Sequence, residues 1–140
     1  MSQKYNVPKW EINGERFPFD YDDMETIERY KRALAQMGED SNTVIVTGDR
    51  SDIIKSHYEI FSKVFDTVFG PGTSEKIFKG KVNLRMCFDA FDSMVGFVNS
   101  CKRRSEANYN QRLQKYMPAN KAHKRNRKGE THYSKVIRIL

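Results

Sequence analysis

Apolar residues recur at every second position near the N-terminus and at every third or fourth position further along the chain. The two-residue spacing surrounds Asn13-Gly14, a dipeptide typical of tight hairpin turns because both central positions of such a turn require positive φ. The alternating apolar residues are Trp10, Ile12, Phe17 and Phe19. This pattern predicts a β-hairpin over residues 9–19 with one aromatic face. Pro18 cannot donate a ladder hydrogen bond, so its strand should lie at a sheet edge.

Four later stretches carry the three- and four-residue spacing of amphipathic helices. They predict helices over about 22–37, 52–69, 73–79 and 84–116. The fourth helix should bury the stripe formed by Leu84, Phe88, Phe91, Val95 and Val98, with Cys87 and Met94 alongside it. Because the second helix carries a matching stripe, these two helices should pack together as an antiparallel pair.

Polar residues and glycines mark where these helices should begin and end. Asp22, with Glu25 three residues later, forms a capping-box pattern at the start of the first helix. Gly38 is expected to end that helix, because glycine is the preferred residue just beyond a helix C-terminus. Asn83 is expected to cap the fourth helix.

The segment 43–47, Thr-Val-Ile-Val-Thr, has the composition of a β-strand and fits two interpretations. It is either a short third strand that pairs with the hairpin or an extended connector, and its composition slightly favours the strand. The predicted fold class is α+β and mainly α, with an N-terminal β-hairpin, and in the first interpretation the third strand, packed on a small helical bundle. Residues 1–117 should form a single globular domain. Residues 118–140 should form a basic, flexible tail that is disordered or becomes ordered on a partner.

Positive charge is concentrated at the C-terminal end of this 140-residue chain, whose net charge is +7. Residues 102–140 hold twelve lysines and arginines against two acids, whereas the preceding residues carry a net charge of −3. A basic arm of this kind binds acidic partners. The candidate partner-binding cations are Lys121, Lys124, Arg125, Arg127 and Lys128. Aromatic residues that stack on bases are sparse around these cations, so an acidic protein is favoured over nucleic acid as the partner.

Residue types that carry enzymatic chemistry form no recognisable motif in this sequence. The histidines, His57, His123 and His132, share no metal-ligand spacing with each other or with a cysteine. Cys87 and Cys101 should lie about 21 Å apart along one predicted helix, too far for a disulfide. We therefore expect reduced thiols and predict no catalytic residue, no metal site and no cofactor. The chain also shows no apolar run long enough for a membrane span and no secretory signal peptide, so no membrane partner is predicted.

Several short phrases stand in a fixed order along the chain. They are Ile-Asn-Gly-Glu-Arg-Phe at 12–17, Asp-Asp-Met-Glu-Thr-Ile-Glu-Arg-Tyr at 22–30, Phe-Gly-Pro-Gly-Thr at 69–73, Ile-Phe-Lys-Gly at 77–80, Asn-Leu at 83–84, Phe-Asp-Ala-Phe at 88–91 and Pro-Ala-Asn-Lys-Ala-His-Lys-Arg at 118–125. In this order the phrases resemble a small protein family of siphophages that infect Gram-positive hosts, the tail assembly chaperones. The resemblance covers residues 10–128.

The resemblance implies a non-enzymatic tail assembly chaperone in the host cytoplasm. Such a protein coats the tape-measure protein, keeps its apolar helices from aggregating, recruits tail-tube subunits and leaves as the tube polymerises. The many phenylalanines of the helical stretches are compatible with this role, since they offer an apolar groove to a partner helix. Phe97 lies outside the main apolar stripe of the fourth helix. It should either anchor a partner from an exposed position or pack under the helix at 73–79. A protein that coats another is also expected to form a homo-oligomer.

The alternative function is a phage regulator or host-defence inhibitor that binds nucleic acid or a nucleoprotein through the basic tail. A tail-completion protein that stays in the virion is a third hypothesis. Residues 129–140 continue past the point where chaperone tails often end, so the resemblance assigns them no role.

Overall fold

Residues 6–117 are described by a computed structural model, and they form an N-terminal two-stranded sheet and a helical bundle, as predicted. The described residues fall into two units that meet between Cys101 and Lys102. The boundary between the units lies inside the last helix. The single domain over residues 1–117 stays a prediction, and the predicted tail over 118–140 lies outside the described residues.

The hairpin consists of β1 (Lys9–Ile12) and β2 (Glu15–Pro18), paired antiparallel with Trp10 opposite Phe17. Asn13 and Gly14 form its turn with φ values of 49° and 83°. The positive φ at both positions is the geometry that Asn-Gly favours, so the predicted hairpin is confirmed.

Four helices follow the hairpin. They are α1 (Met24–Asp40), α2 (Arg50–Phe69), α3 (Thr73–Phe78) and α4 (Leu84–Tyr116). The predicted cap of α4 is confirmed, because the Asn83 side-chain oxygen accepts a hydrogen bond from the Met86 backbone N–H at 2.9 Å. Gly70, at φ 114°, and Lys79, which is left-handed at φ 51°, end α2 and α3.

Two predicted bounds of α1 are wrong. Its cap is Asp23 rather than Asp22, since the Asp23 carboxylate accepts hydrogen bonds from the backbone N–H and the hydroxyl of Thr26, each at 3.0 Å. These bonds lower the pKa of Asp23, with the backbone bond contributing most. Gly38 does not end the helix, which continues to Asp40. A glycine costs only about 1 kcal/mol inside a helix, so it does not by itself end one.

Trp10 joins the hairpin to two of the helices. Its ring is 2% exposed and stacks on Phe65 and Phe69 of α2, with centroids 5.6 and 5.3 Å away. The indole N–H donates a hydrogen bond to the Ser93 hydroxyl of α4 at 3.0 Å. A buried indole therefore contributes both apolar area and a satisfied polar contact to the core of the first unit.

The buried face of α4 differs from the predicted stripe. Its buried residues are Cys87, Ala90, Met94, Val98 and Cys101. Phe88 is 46% exposed, so its predicted burial is wrong. Leu84 is partly buried, Phe91 and Val95 are partly buried against the core, and burial is confirmed for Val98. Large rings from the hairpin and α2 already fill this core, and α4 therefore presents small or flexible side chains to them.

The segment 43–47 forms no strand, so the prediction of a third strand is wrong. A 3-10 turn, Ser41–Thr43, follows α1, and the sheet has two strands within residues 6–117. Val44 is extended, with φ −71° and ψ 144°. The Ile45 backbone N–H donates to the Ser56 hydroxyl of α2 at 3.0 Å instead of to a neighbouring strand. The segment is thus the extended connector of the second interpretation.

Candidate partner-binding surface

An open cleft of about 470 Å³ lies on the first unit between the start of α2 and the loop before α4. The cleft is lined by Ser51, Ile54, Lys55, Tyr58, Glu59 and Val82. Ile54 and Tyr58 stand one helical turn apart on α2, and Val82 faces solvent with 49% of its surface. Apolar atoms dominate the lining, so the cleft suits an apolar side chain.

Phe88 extends this apolar region along α2. Its ring is 46% exposed and packs edge-on against Phe61, with centroids 5.3 Å apart. Phe61 follows Tyr58 by three residues and therefore lies beside it on the helix. We call the residues Ile54, Tyr58, Val82 and Phe88 the apolar surface.

The apolar surface rests on a rigid support. The Tyr58 ring contacts Phe78 of α3 at 5.4 Å, and Phe78 is 1% exposed. The start of α3 is held by Asp66 of α2, whose carboxylate accepts a hydrogen bond from the Ser74 backbone N–H at 2.8 Å. The Tyr58 ring is therefore held in place by the folded unit, which reduces the entropy that this side chain loses on binding.

Cations outnumber acids around the apolar surface. Lys81 precedes Val82, Arg85 lies one turn before Phe88, and Lys55 lines the cleft, and all three side chains are exposed. Glu59 lines the same cleft, and Asp89 follows Phe88. An amphipathic helix with acidic residues beside its apolar face would complement this arrangement.

Phe97 is not the exposed anchor that one interpretation expects. The residue is partly buried in the core, and its ring meets Phe19 edge-on at 6.3 Å. Phe19 directly follows the hairpin, so the Phe97 ring contacts the residue after β2. The second interpretation of Phe97, packing under the helix at 73–79, instead expects a contact with α3. Partner binding by Phe97 remains a prediction, and Phe88 is the phenylalanine of α4 with the large exposed face.

The five predicted cations Lys121, Lys124, Arg125, Arg127 and Lys128 lie outside the described residues. Within the described part of the second unit, residues 102–117, five lysines and arginines accompany one acid. Tyr109 and Tyr116 are 62% and 68% exposed, and their spacing of seven residues places them on one face of α4. The basic character of the C-terminal region therefore begins on a helix that also carries exposed aromatic rings.

Sequence reasoning missed Phe88 and Val82 as surface residues. The signal for the exposure of Phe88 is a second apolar stripe on α4, through Cys87, Ala90 and Met94. This second stripe competes with the stripe of larger residues for burial in the core. Val82 stands in a loop, where periodicity carries no information about burial.

The described residues offer little for catalysis or metal binding. No group of three or more His, Cys, Asp or Glu residues within 6–117 is placed to hold a metal ion. The His57 ring nitrogen Nδ1 lies 2.8 Å from the carbonyl oxygen of Ile53, one turn earlier. Burial raises the pKa of the Cys87 thiol to about 11, which keeps it protonated and unreactive at neutral pH. Among these residues, no helix is long and apolar enough to cross a membrane.

Comparison with known proteins gives one match. The sequence model of a family of unknown function, DUF6673, matches residues 13–128 of the chain. No curated protein and no solved structure matches the chain.

Proposed function

The chain belongs to the DUF6673 family of unknown function, and for it we propose the role of a non-enzymatic phage tail assembly chaperone. In this role it acts in the host cytoplasm and binds tape-measure and tail-tube proteins. The observation that carries the proposal is the apolar surface, where Phe88 and Val82 are about half exposed beside a cleft on a rigid support. The resemblance to siphophage tail assembly chaperones supplies the identity of the partners.

The apolar surface suits a helix rather than a small molecule. Ile54 and Tyr58 follow one face of α2, and Phe88 packs on Phe61 just beyond Tyr58, so a partner helix laid along this face would meet successive apolar residues. Full burial of a phenylalanine is worth about 1.5–3 kcal/mol, so covering the exposed half of Phe88 contributes about 1 kcal/mol. Contacts of this size give a reversible complex, as a chaperone that leaves during tube polymerisation requires.

Co-expression tests the proposal. The chain is produced together with a fragment of the tape-measure protein of the same phage, and the soluble fraction of that fragment is measured. Wild type should keep the fragment soluble. The F88Q variant should lower the soluble yield about fivefold, the equivalent of about 1 kcal/mol. E106Q is the matched control, because Glu106 is exposed on the same helix about five turns from Phe88 and should leave the yield unchanged.

Two further measurements complete this test, the helix content of the variants and the presence of the protein in purified virions. Circular dichroism should give the same helix content for F88Q and wild type, and V82Q supplies a second variant in a loop. A tape-measure fragment that stays insoluble with wild type would contradict the proposal. Retention of the protein in purified virions would contradict it as well, because a chaperone leaves during assembly.

The described part of the second unit supports a second candidate, a phage regulator or host-defence inhibitor that binds nucleic acid or a nucleoprotein. Five cations with exposed Tyr109 and Tyr116 combine phosphate neutralisation with base stacking. Binding to random duplex DNA should then fall steeply with salt. The double variant R112Q/K115Q should reduce the slope of log K against log salt by about 2. If the salt dependence is lost only on truncation before Pro118, the binding belongs to residues 118–140. If binding shows no salt dependence at all, this candidate function is contradicted.

A further inference from the structure

The segment 43–47 has strand chemistry without a strand partner among residues 6–117. Val44 is extended, Ile45 is 44% exposed and Val46 is 66% exposed. β-Branched residues are normally placed on a sheet, where neighbouring strands cover them. Their exposure here indicates a segment that gains stability by pairing with another strand.

One contact determines which edge of the segment is free to pair. The Ile45 backbone N–H donates to the Ser56 hydroxyl of α2, so this edge faces the helix. In extended chain, successive residues direct their backbone groups to opposite edges. Because Ser56 occupies the Ile45 N–H, a second strand would pair with the N–H and C=O groups of Val44 and Val46.

The sequence of the segment favours a second copy of the same segment as the partner strand. Thr-Val-Ile-Val-Thr reads the same in both directions. When residues 44–46 of two copies pair antiparallel about Ile45, valine meets valine and isoleucine meets isoleucine across the pair. Val44 then exchanges both backbone hydrogen bonds with Val46 of the second copy, and the two Ile45 side chains meet in the non-hydrogen-bonded position between them.

We propose that residues 44–46 pair antiparallel with the same residues of a second copy of this chain, around a twofold axis at Ile45. The pairing is isologous, as in most homodimers. Cross-strand contacts between β-branched residues add stability to the four backbone hydrogen bonds. The proposal does not depend on the chaperone role, because it uses a different surface.

Bends at Thr47 and Gly48 limit the pairing to three residues in each copy. Two-stranded pairing of this length is weak in water. The dimer should therefore form reversibly and depend on protein concentration, which makes covalent trapping the most direct measurement.

Cysteine cross-linking tests the register. The Cα atoms of a non-hydrogen-bonded antiparallel pair lie about 4.5 Å apart, within the range that a disulfide spans. The I45C variant should form a disulfide-linked dimer on mild oxidation. V46C alone should cross-link about tenfold less, because Val46 lies opposite Val44 rather than opposite itself. The double variant V44C/V46C should restore the dimer. Native Cys87 and Cys101 are 0% and 2% exposed and should not contribute.

Charge complementation gives an independent test by sedimentation. I45K and I45E should each lose the concentration-dependent dimer, because like charges directly opposite one another repel. An equimolar mixture of the two should recover it as a heterodimer. Equal cross-linking of I45C and V46C would overturn the proposal, as would absence of any I45C dimer. Dimers that persist in both I45K and I45E would place the interface elsewhere and overturn it too.

Discussion

The two ends of α4 belong to one helix and differ in what stabilises them. Between Leu84 and Cys101 the helix buries five residues in the core of the first unit. From Lys102 to Tyr116 the side chains are exposed or only partly buried. The first part is thus stabilised by packing, whereas helix formation in the second part depends on intrinsic propensity. Isolated helices of about 12–15 residues are marginal in water, so the second part gains most from a partner.

Shortening a buried side chain in the first part should have the largest effect. Met94 is 0% exposed, and M94A should lower the free energy of unfolding by about 2–5 kcal/mol through lost burial and the cavity it leaves. Urea unfolding followed by circular dichroism measures the change. The matched variant Q111A, in the exposed part of α4, should change it by less than about 0.5 kcal/mol. Similar losses for both variants would show that the two parts do not differ.

Alkaline pH should also destabilise the packed part. The pKa of Cys87 is raised to about 11 from 9.0, because burial disfavours the thiolate. The unfolded chain loses this proton first as pH rises, so the stabilisation is complete below pH 9 and is lost towards pH 11. The full shift corresponds to about 2–3 kcal/mol. C87A, although less stable overall, should show a smaller fall over this window, and an unchanged fall would contradict the burial of the thiol.

Removing the cap of α4 should have a smaller effect on the same part. The Asn83 side chain bonds the Met86 N–H, and N83A should cost about 1 kcal/mol of unfolding free energy. Thermal unfolding measures it. N108A, in the exposed part, should be neutral or slightly stabilising because alanine has the higher helix propensity.

The smallest effect on global stability is expected at Ala107. A107G should weaken the exposed helix by about 1 kcal/mol locally. Because this part contributes little to the packed core, helix content should fall while the unfolding midpoint of the first unit stays unchanged. A midpoint shift as large as that of N83A would instead couple the exposed part to global folding.

Local sequence signals predict the fold well where one residue type governs the backbone. Asn13-Gly14 identifies the hairpin and Asn83 the start of α4, because positive φ and N-terminal capping each depend on few atoms. The candidate binding surface is harder to predict. Periodicity identifies α4 as amphipathic but does not decide which of two overlapping apolar stripes, through Cys87 or through Phe88, is buried.

The sequence by itself determined the class of fold, the order of the helices and the uneven charge, since these follow from local spacing and composition. Only the tertiary structure decided that Phe88 is exposed and that residues 43–47 stay outside the sheet. Both outcomes depend on competition for space and for hydrogen bonds. The rings of Trp10 and Phe65 are buried in the core, whereas Phe88 is 46% exposed, and the Ile45 N–H bonds to Ser56 of α2 rather than to the hairpin.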